Sequence, residues 1–401
     1  MFRISDYMRK KPGICAIPLI IFMFCTVFRI GILPVYAADE VDLKAPSALL
    51  MENSTGKILY EKNSHERRPL ASITKVMTML LVMEQIDSGA LSYDDIITGS
   101  AHAKSMGGST IFLDEGEQMT VRDILKGIAV ASGNDAAVAA AEHISGSEEA
   151  FVARMNERAA QLGMKDTHFV NSNGLDEDDH YSTAYDIALM SRELLKHPDI
   201  HNFTTIWMDS LRDGKFTLSN TNKLVRFYEG ATGLKTGSTS KALFCVSATA
   251  KRNNMHLIAV IMGSPTGQTR VSDASALLNY GFANYGISTV ASAGESVGTY
   301  PVSKGIKETA EVVVASPFER LIKKGENTQV EKRLVIPDTL SAPIKKGDRA
   351  GKIEYYSNNA KIGEGDVIFN EDVEKYGFAD VFMKMVRLWA SGGAKREIKA
   401  N

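Results

Sequence analysis

Apolar positions from Val76 to Met83 form a nearly continuous run that only Thr78 interrupts. A helix on a protein surface shows one apolar stripe, whereas a continuous run indicates a helix that is covered on all sides. Gly89 follows the run and is a residue type that commonly ends helices. The pattern therefore predicts a buried central helix with Ser72 in its first turn.

Shorter apolar runs predict a sheet around this helix. Two of them, at 47–51 and 57–61, flank a polar turn and predict a hairpin. Three more, at 234–238, 243–250 and 256–262, predict neighbouring strands. Helical spacing and capping residues predict helices at 120–131, 136–140, 147–162, 183–196 and 268–282. Residues 38–285 are therefore predicted to form an α/β (α+β) domain whose antiparallel sheet is flanked by helices.

The pattern changes after Tyr285. Short strand-like runs alternate there with Gly, Pro and Asn turns, at 311–315, 330–335, 352–356 and 361–363. Residues 286–372 are therefore predicted to form a small all-β C-terminal domain.

Residues 373–401 are predicted to form an amphipathic C-terminal helix and tail. From Phe378 the apolar side chains recur at the spacing of one helix face. Positions 380–401 carry five basic and two acidic residues, whereas the chain as a whole has a net charge of −2. Two interpretations remain open: the helix docks on the second domain, or it lies in the surface of a membrane near anionic head groups.

The N-terminus has the pattern of a secretory signal peptide. Basic residues 9–11 precede an apolar run from Ile14 to Val27, and Val35-Tyr36-Ala37 is a small-residue cleavage pattern. Cleavage after Ala37 predicts an extracytoplasmic protein, with an uncleaved membrane anchor as the alternative. Because residues 1–37 carry five basic residues and one acidic residue, cleavage takes the net charge from −2 to −6. That charge argues against nucleic acid as a partner.

Cysteine and histidine positions exclude two further kinds of site. Only Cys245 remains after cleavage, so no intramolecular disulfide forms, and its apolar neighbours predict a buried structural thiol. His197 and His201 have the spacing of a helical metal pair, but Pro198 lies between them and no acidic or thiol ligand completes the set. No metal site is therefore predicted.

Ser72 and Lys75 are candidate catalytic residues. A spacing of three residues puts both side chains on one helix face, where the amine can accept the proton of the hydroxyl. The helix start also offers backbone N–H groups to an oxyanion. The pair alone is weak evidence, because Ser-x-x-Lys recurs at Ser238–Lys241 and because a helix cap beside a surface lysine has the same spacing.

Two further motifs follow in a fixed order. Ser132-Gly133-Asn134 lies in a loop between helices, where a hydroxyl and an amide can face one cleft. Lys235-Thr236-Gly237 lies on a predicted strand whose backbone can pair with an extended peptide. With these motifs the chain resembles the penicillin-recognising serine acyl-transferases, which have a DD-peptidase/β-lactamase-like fold. Within them it is similar to the low-molecular-mass penicillin-binding proteins that are D-alanyl-D-alanine carboxypeptidases.

The resemblance implies a role for each motif residue. Ser72 is the nucleophile, Lys75 its base and Ser132 a proton relay to the leaving amine, while Asn134 holds the acyl-side peptide. Lys235 and Thr236 face the terminal carboxylate, and the backbone N–H groups of Ser72 and Ser238 form the oxyanion hole. The substrate-binding residues are Asn134, Lys235, Thr236, Gly237, Ser238 and Arg270. The substrate is the peptidoglycan stem peptide, β-lactam antibiotics are covalent inhibitors, and no cofactor is implied.

The chain departs from the family at two places, which leaves its substrate preference open. Thr221 stands where the family often has arginine, and Thr232 precedes Gly233 where the family often has aspartate. A β-lactamase, a DD-transpeptidase and a catalytically silent wall-binding protein are the alternatives. The deacylating Glu-x-x-Leu-Asn signature of the β-lactamases is absent between the second and third motifs.

Overall fold

The computed structural model describes residues 41–326 and 329–390. The predicted signal peptide, residues 1–37, and the end of the predicted tail, residues 391–401, lie outside this part of the chain.

An antiparallel sheet forms the centre of the first domain. Its strands are β1 (Ser47–Glu52), β2 (Ile58–Lys62), β7 (Ala231–Thr239), β8 (Leu243–Arg252) and β9 (Met255–Ser264). They lie in the order β2-β1-β9-β8-β7. The predicted hairpin and the three predicted neighbouring strands are therefore confirmed. β7 is the last strand at one side of this sheet, so its outer edge has backbone groups that an extended peptide can pair with.

Helices cover both faces of the sheet. They are α1 (Lys75–Asp87), α2 (Ala101–Lys104), α3 (Val121–Lys126), α4 (Asn134–Ser145), α5 (Glu148–Gln161), α6 (Ala184–Leu194), α7 (His201–Thr204), α8 (Leu224–Phe227) and α9 (Gly267–Asn284). On β9, Ile258 and Val260 join the core that includes α1, whereas Leu257 lies against Gly281 of α9. Burial of both faces explains why β9 is apolar without alternation.

Two short antiparallel strand pairs complete the first domain, and the sequence pattern did not predict either. They consist of β3 (Ile96–Thr98) with β4 (Gln118–Thr120), and of β5 (Met208–Leu211) with β6 (Phe216–Ser219). Strands of three or four residues are too short for a period of two to stand out.

The second domain is all-β, as predicted, and it has more strands than the sequence pattern indicated. They are β10 (Tyr285–Ala291), β11 (Ser296–Ser303), β12 (Thr309–Val314), β13 (Phe318–Lys323), β14 (Glu331–Val335), β15 (Leu340–Ser341), β16 (Arg349–Ser357) and β17 (Ala360–Phe369). Six form one sheet in the order β14-β16-β17-β12-β11-β15, while β10 pairs with β13.

The chain after β17 belongs partly to the second domain and partly to a terminal helix. Val373 is buried in the core of that domain and forms a bridge with Ile344. Helix α10 (Phe378–Ala390) follows, and its apolar side chains are exposed, including Phe378 at 89% and Trp389 at 88%. Among the described residues, no helix has the length and apolar character needed to cross a bilayer.

Candidate active site

Ser72 lies on a 3₁₀ turn, Ala71–Thr74, that leads directly into α1. The α-helix therefore begins at Lys75, three residues later than the sequence pattern indicated. Side chains at i and i+3 of a 3₁₀ turn are eclipsed, so Ser72 and Lys75 still face the same way. Lys75 Nζ lies 2.9 Å from Ser72 Oγ.

Lys75 is fully buried, and its Nζ has three oxygen partners. Besides Ser72 Oγ, they are Asn134 Oδ1 at 2.5 Å and the main-chain oxygen of Asn173 at 2.6 Å. The latter two oxygens can only accept hydrogen bonds. A neutral amine therefore uses its two N–H groups on Asn134 and Asn173, and its lone pair is left facing the hydroxyl of Ser72.

Burial also favours the neutral form of the Lys75 amine. Burial first, and the nearby cation Lys235 second, lower the pKa of Lys75 well below its usual value. A neutral amine within hydrogen-bond distance of a serine hydroxyl is the arrangement that general-base activation of a nucleophile requires.

Ser132 and Asn134 reach the site from the end of α3. The chain widens into a π-helical turn, Gly127–Ala131, and Ser132 follows in the left-handed conformation at φ +64°. Asn134 Nδ2 donates to the main-chain oxygen of Gly107 at 2.7 Å, which directs Oδ1 at Lys75. Ser132 is 4% exposed, on the same short loop.

Asp135, next to Asn134 in the chain, binds the 107–113 loop through its side chain. Asp135 is buried and accepts hydrogen bonds from the main-chain N–H groups of Ile111 and Leu113. This pairing fixes the loop that supplies the Gly107 oxygen.

Strand β7 carries the third motif along the edge of the site. A Cβ atom at Gly237 would lie 2.9 Å from both Leu70 O and Ser72 N, so only glycine allows the strand to pass this close to the nucleophile turn. Ser238 is the next residue of the strand after this close approach. Lys235 is fully buried, its Nζ donates to Thr236 O at 2.9 Å, and burial together with the nearby Arg270 lowers its pKa to about 7.

Thr236 belongs to this strand, and Arg270 contacts the strand from α9. Thr236 Oγ1 donates to Thr221 Oγ1 at 2.7 Å, and Thr221 is exposed. Arg270 Nη1 lies 3.4 Å from the main-chain oxygens of Gly237 and Cys245, and Arg270 Nε is buried without a hydrogen-bond partner. Contacts thus join seven of the suggested site residues, which are Ser72, Lys75, Asn134, Lys235, Thr236, Gly237 and Arg270. Ser132 and Ser238 are near neighbours of Asn134 and Gly237 along the chain.

Two contributions to the site were not visible in the sequence. The Asn173 oxygen that binds Lys75 belongs to the backbone, and no residue type signals such a contact. In the sequence Thr221 stands out only as a departure from the family, and its bond to Thr236 depends on how the chain folds around β6. Gly174, beside Asn173, was the available signal: its φ is +90°, and a Cβ there would lie 2.0 Å from Ala71 O.

The other residues with potential chemistry, His197, His201 and Cys245, form no metal or thiol site in the part of the chain that the structure describes. His197 Nδ1 is 2.5 Å from Asp87 Oδ2, and His201 Nδ1 is 3.3 Å from Thr232 O, so the two histidines bind different partners. Within residues 41–326 and 329–390, no group of three or more His, Cys, Asp or Glu side chains is placed to hold a metal ion. Cys245 is buried, which raises its pKa to about 11, as expected for a structural thiol.

Comparison with known proteins agrees with this geometry. Residues 35–266 match the D-alanyl-D-alanine carboxypeptidase family of peptidases, S11, and residues 285–375 match the C-terminal domain of penicillin-binding protein 5. The chain belongs to the D-alanyl-D-alanine carboxypeptidase family. The protein is thus a serine-type carboxypeptidase, a hydrolase, with the fold of the low-molecular-mass penicillin-binding proteins.

Relatives of this carboxypeptidase cover most of the chain. It is 45% identical to D-alanyl-D-alanine carboxypeptidase DacF of Bacillus subtilis, over 88% of this chain and 91% of that one. The crystal structure of penicillin-binding protein 5 from Haemophilus influenzae covers 83% of this chain and 98% of its own, with 32% identity and a TM-score of 0.66. Penicillin-binding protein D2 from Listeria monocytogenes, in its ampicillin-bound form, covers 60% of this chain and 98% of its own, with 31% identity and a TM-score of 0.55.

Proposed function

We propose that this carboxypeptidase removes the terminal D-alanine from peptidoglycan stem peptides through an acyl-enzyme on Ser72. The observation that carries the proposal is the position of the buried Lys75 amine, 2.9 Å from Ser72 Oγ and held by two obligate acceptors. Ser72 Oγ attacks the carbonyl carbon of the penultimate D-alanine while its proton passes to Lys75 Nζ. The resulting oxyanion accepts hydrogen bonds from the N–H groups of Ser72 and Ser238.

The second half of the reaction releases the product and restores the enzyme. The tetrahedral intermediate collapses, the peptide C–N bond breaks, and a proton relayed through Ser132 neutralises the departing D-alanine amine. Water then hydrolyses the ester on Ser72, which releases the shortened stem peptide and regenerates the hydroxyl.

The terminal carboxylate of the substrate binds beside Lys235. The protonated amine of Lys235 and the guanidinium of Arg270 supply positive charge, and the hydroxyl groups of Thr236 and Thr221 supply hydrogen bonds. Because Thr236 donates to Thr221, the proton of the exposed Thr221 hydroxyl is left for the carboxylate. In this chain, hydroxyl groups thus stand where the family often has an additional arginine.

The acyl side of the peptide lies along the outer edge of β7. The structure supports a double role for Asn134, because an amide nitrogen has two N–H groups and only one is committed to Gly107 O. The second N–H binds the acyl-side carbonyl, as the sequence suggested, while Oδ1 holds Lys75. β-Lactam antibiotics acylate Ser72 in the same position, as the ampicillin-bound relative suggests.

Peptide hydrolysis tests the proposed function directly. The mature protein, residues 38–401, should release one D-alanine from an N-acetylated peptide that ends in D-Ala-D-Ala. Ser72→Ala should release none, because no other hydroxyl replaces the nucleophile. The proposal fails if the two proteins release D-alanine at equal rates.

Penicillin distinguishes the alternatives from the same superfamily. A carboxypeptidase should hold penicillin as a long-lived acyl-enzyme, seen by mass spectrometry on Ser72 and absent in Ser72→Ala. Rapid release of hydrolysed penicillin would instead identify a β-lactamase, and the absence of labelling would identify a silent wall-binding protein. Transfer of the acyl group to an added amine in preference to water would identify a transpeptidase.

We also propose that the enzyme works outside the cytoplasm and is held at the membrane surface by α10. The signal pattern at residues 1–37 supports export, and the exposed apolar face of α10 supports contact with lipid. The second domain then separates the active site from the membrane. We place the start of the anchor after Tyr376, because Tyr376 N still donates to Lys304 O in that domain.

A further inference from the structure

His180 lies under the turn that carries the nucleophile, and it contacts neither Ser72 nor Lys75 directly. It is 5% exposed. Its Nε2 lies 2.8 Å from Thr74 Oγ1, and its Nδ1 lies 2.9 Å from the main-chain nitrogen of Val170. Thr74 Oγ1 in turn lies 2.8 Å from Ala71 O.

The partners of His180 determine which ring nitrogen carries the proton. The Val170 N–H can only donate, so Nδ1 accepts and has no proton. Nε2 therefore carries the proton and donates it to Thr74 Oγ1, whose own proton goes to Ala71 O. Burial lowers the pKa of His180 to about 4, so this neutral tautomer is the form present near neutral pH.

These hydrogen bonds join two segments that both support Lys75. One is the Ala71–Thr74 turn, which carries Ser72. The other is the loop from Val170 to His180, in which the Asn173 oxygen binds Lys75 Nζ. The loop approaches the turn so closely at Gly174 that a side chain would overlap Ala71 O. The His180 ring bonds to both segments at this contact, to Thr74 of the turn and to Val170 of the loop.

We propose that His180 is a positioning residue: its ring fixes the 170–180 loop to the nucleophile turn, so that Asn173 O directs the Lys75 amine at Ser72. This inference rests on the proposed roles of Ser72 and Lys75. It predicts an effect on the chemical step and none on substrate binding, because His180 lies behind the site rather than in it.

Replacing His180 by leucine and by glutamine tests the proposal. His180→Leu keeps the volume but removes both hydrogen bonds, and the acylation rate constant with a fluorescent penicillin should fall by about 10- to 100-fold, as expected when a reacting group is displaced by up to about 1 Å. The dissociation constant of the non-covalent complex should not change. His180→Gln should restore most of the rate, because its amide can accept from Val170 and donate to Thr74.

His256 provides a matched control. It is partly buried, burial lowers its pKa to about 4, and its Nε2 lies 2.9 Å from a threonine hydroxyl, that of Thr232. Thr232 is at the opposite end of β7 from Ser238. His256→Leu should therefore acylate at the wild-type rate even if it melts at a lower temperature.

Three results would overturn the proposal while leaving the proposed function intact. They are a wild-type rate in His180→Leu, an equal loss in His256→Leu, and an unchanged rate constant with weaker penicillin binding. If His180→Leu does not fold, Thr74→Val against Thr74→Ser makes the same comparison, because only the valine variant lacks the acceptor of the His180 proton. Failure of the wild type itself to acylate would count against the proposed function instead.

Discussion

Lys75 and Lys235 are both fully buried, yet the reaction needs them in opposite protonation states. Lys75 acts as a base only when it is neutral, whereas Lys235 binds a carboxylate only when it is charged. Burial lowers the pKa of both, and the charge of Lys235 lowers that of Lys75 further. Two titratable groups whose surroundings separate their pKa values are typical of an acid–base site.

The pH dependence of peptide hydrolysis should report both lysines. As pH rises, kcat/KM should first increase as Lys75 loses its proton and then decrease as Lys235 does, with the decrease centred near 7 because the pKa of Lys235 is about 7 in the free enzyme. The measurement is kcat/KM against pH for an N-acetylated peptide that ends in D-Ala-D-Ala.

The Lys235→Arg variant separates the rise of kcat/KM at acid pH from its decrease at alkaline pH. Its guanidinium stays protonated, so the alkaline decrease should move above about pH 9 while the acid limb remains. A decrease at the wild-type pH in this variant would show that a group other than Lys235 is responsible.

At the scale of elements, the 170–180 loop shows how tightly the site is packed against its support. Gly174 has φ +90°, and a Cβ at this position would lie 2.0 Å from the Ala71 oxygen and 2.4 Å from the Ala71 carbon. Both are backbone atoms, which cannot move aside as a flexible side chain can. The loop therefore depends on glycine for its contact with the nucleophile turn.

Gly174→Ala should consequently damage both stability and acylation. Left-handed strain alone costs about 1–2 kcal/mol, and the overlap with Ala71 adds to that cost. Each kcal/mol should lower the melting temperature by about 2–4 °C in a domain of this size. Calorimetry and penicillin labelling measure the two effects.

Gly163→Ala is the control for strain without overlap. Gly163 has φ +77°, and no atom lies within 4 Å of the point that a Cβ would occupy there. The free energy of unfolding of Gly163→Ala should fall by about 1–2 kcal/mol, and the variant should be labelled by penicillin as the wild type is. Equal behaviour of the two variants would show that the close contact at Gly174 is unimportant.

The elements also show where sequence patterns are informative. The buried α1 and the three strands from β7 to β9 were predictable because long apolar runs determine them. The π-helical turn before Ser132 was not, because a helix that widens by one residue keeps the same apolar residues. The pairing of Asn173 O with Lys75 was not predictable either, because it joins backbone to side chain across 98 residues. The type and order of the motif residues are visible in the sequence, whereas their hydrogen-bond partners are visible only in the three-dimensional structure.

At the scale of the whole molecule, the orientation of α10 bears on whether this helix docks on the second domain or contacts a membrane. Lys384 on this helix forms an ion pair with Glu308 of the second domain at 3.2 Å, and its Nζ lies 5.1 Å from the centre of the Tyr376 ring. Phe382 and Met385 are 57% and 61% exposed. A helix docked through its apolar face would bury these side chains, so the described residues favour the membrane interpretation over the docked one.

The site of truncation matters for testing the anchor. Cutting after Asn370 would remove Val373, which is 1% exposed, together with its bridge to Ile344, and would damage the second domain. A protein that ends at Gly377 keeps these contacts and lacks α10. It should hydrolyse the D-Ala-D-Ala peptide as the 38–401 protein does, because no residue of the active site is removed.

Vesicles of phosphatidylglycerol and phosphatidylethanolamine should separate the two proteins. The 38–401 protein should sediment with the vesicles, and the protein that ends at Gly377 should stay in the supernatant. A variant of the 38–401 protein with Phe382→Ser and Trp389→Ser keeps every charge and loses two exposed rings, so its release would show that apolar contact is required in addition to charge. Because all three proteins begin at residue 38, the N-terminus cannot account for a difference. Sedimentation of the truncated protein would locate the membrane contact outside α10.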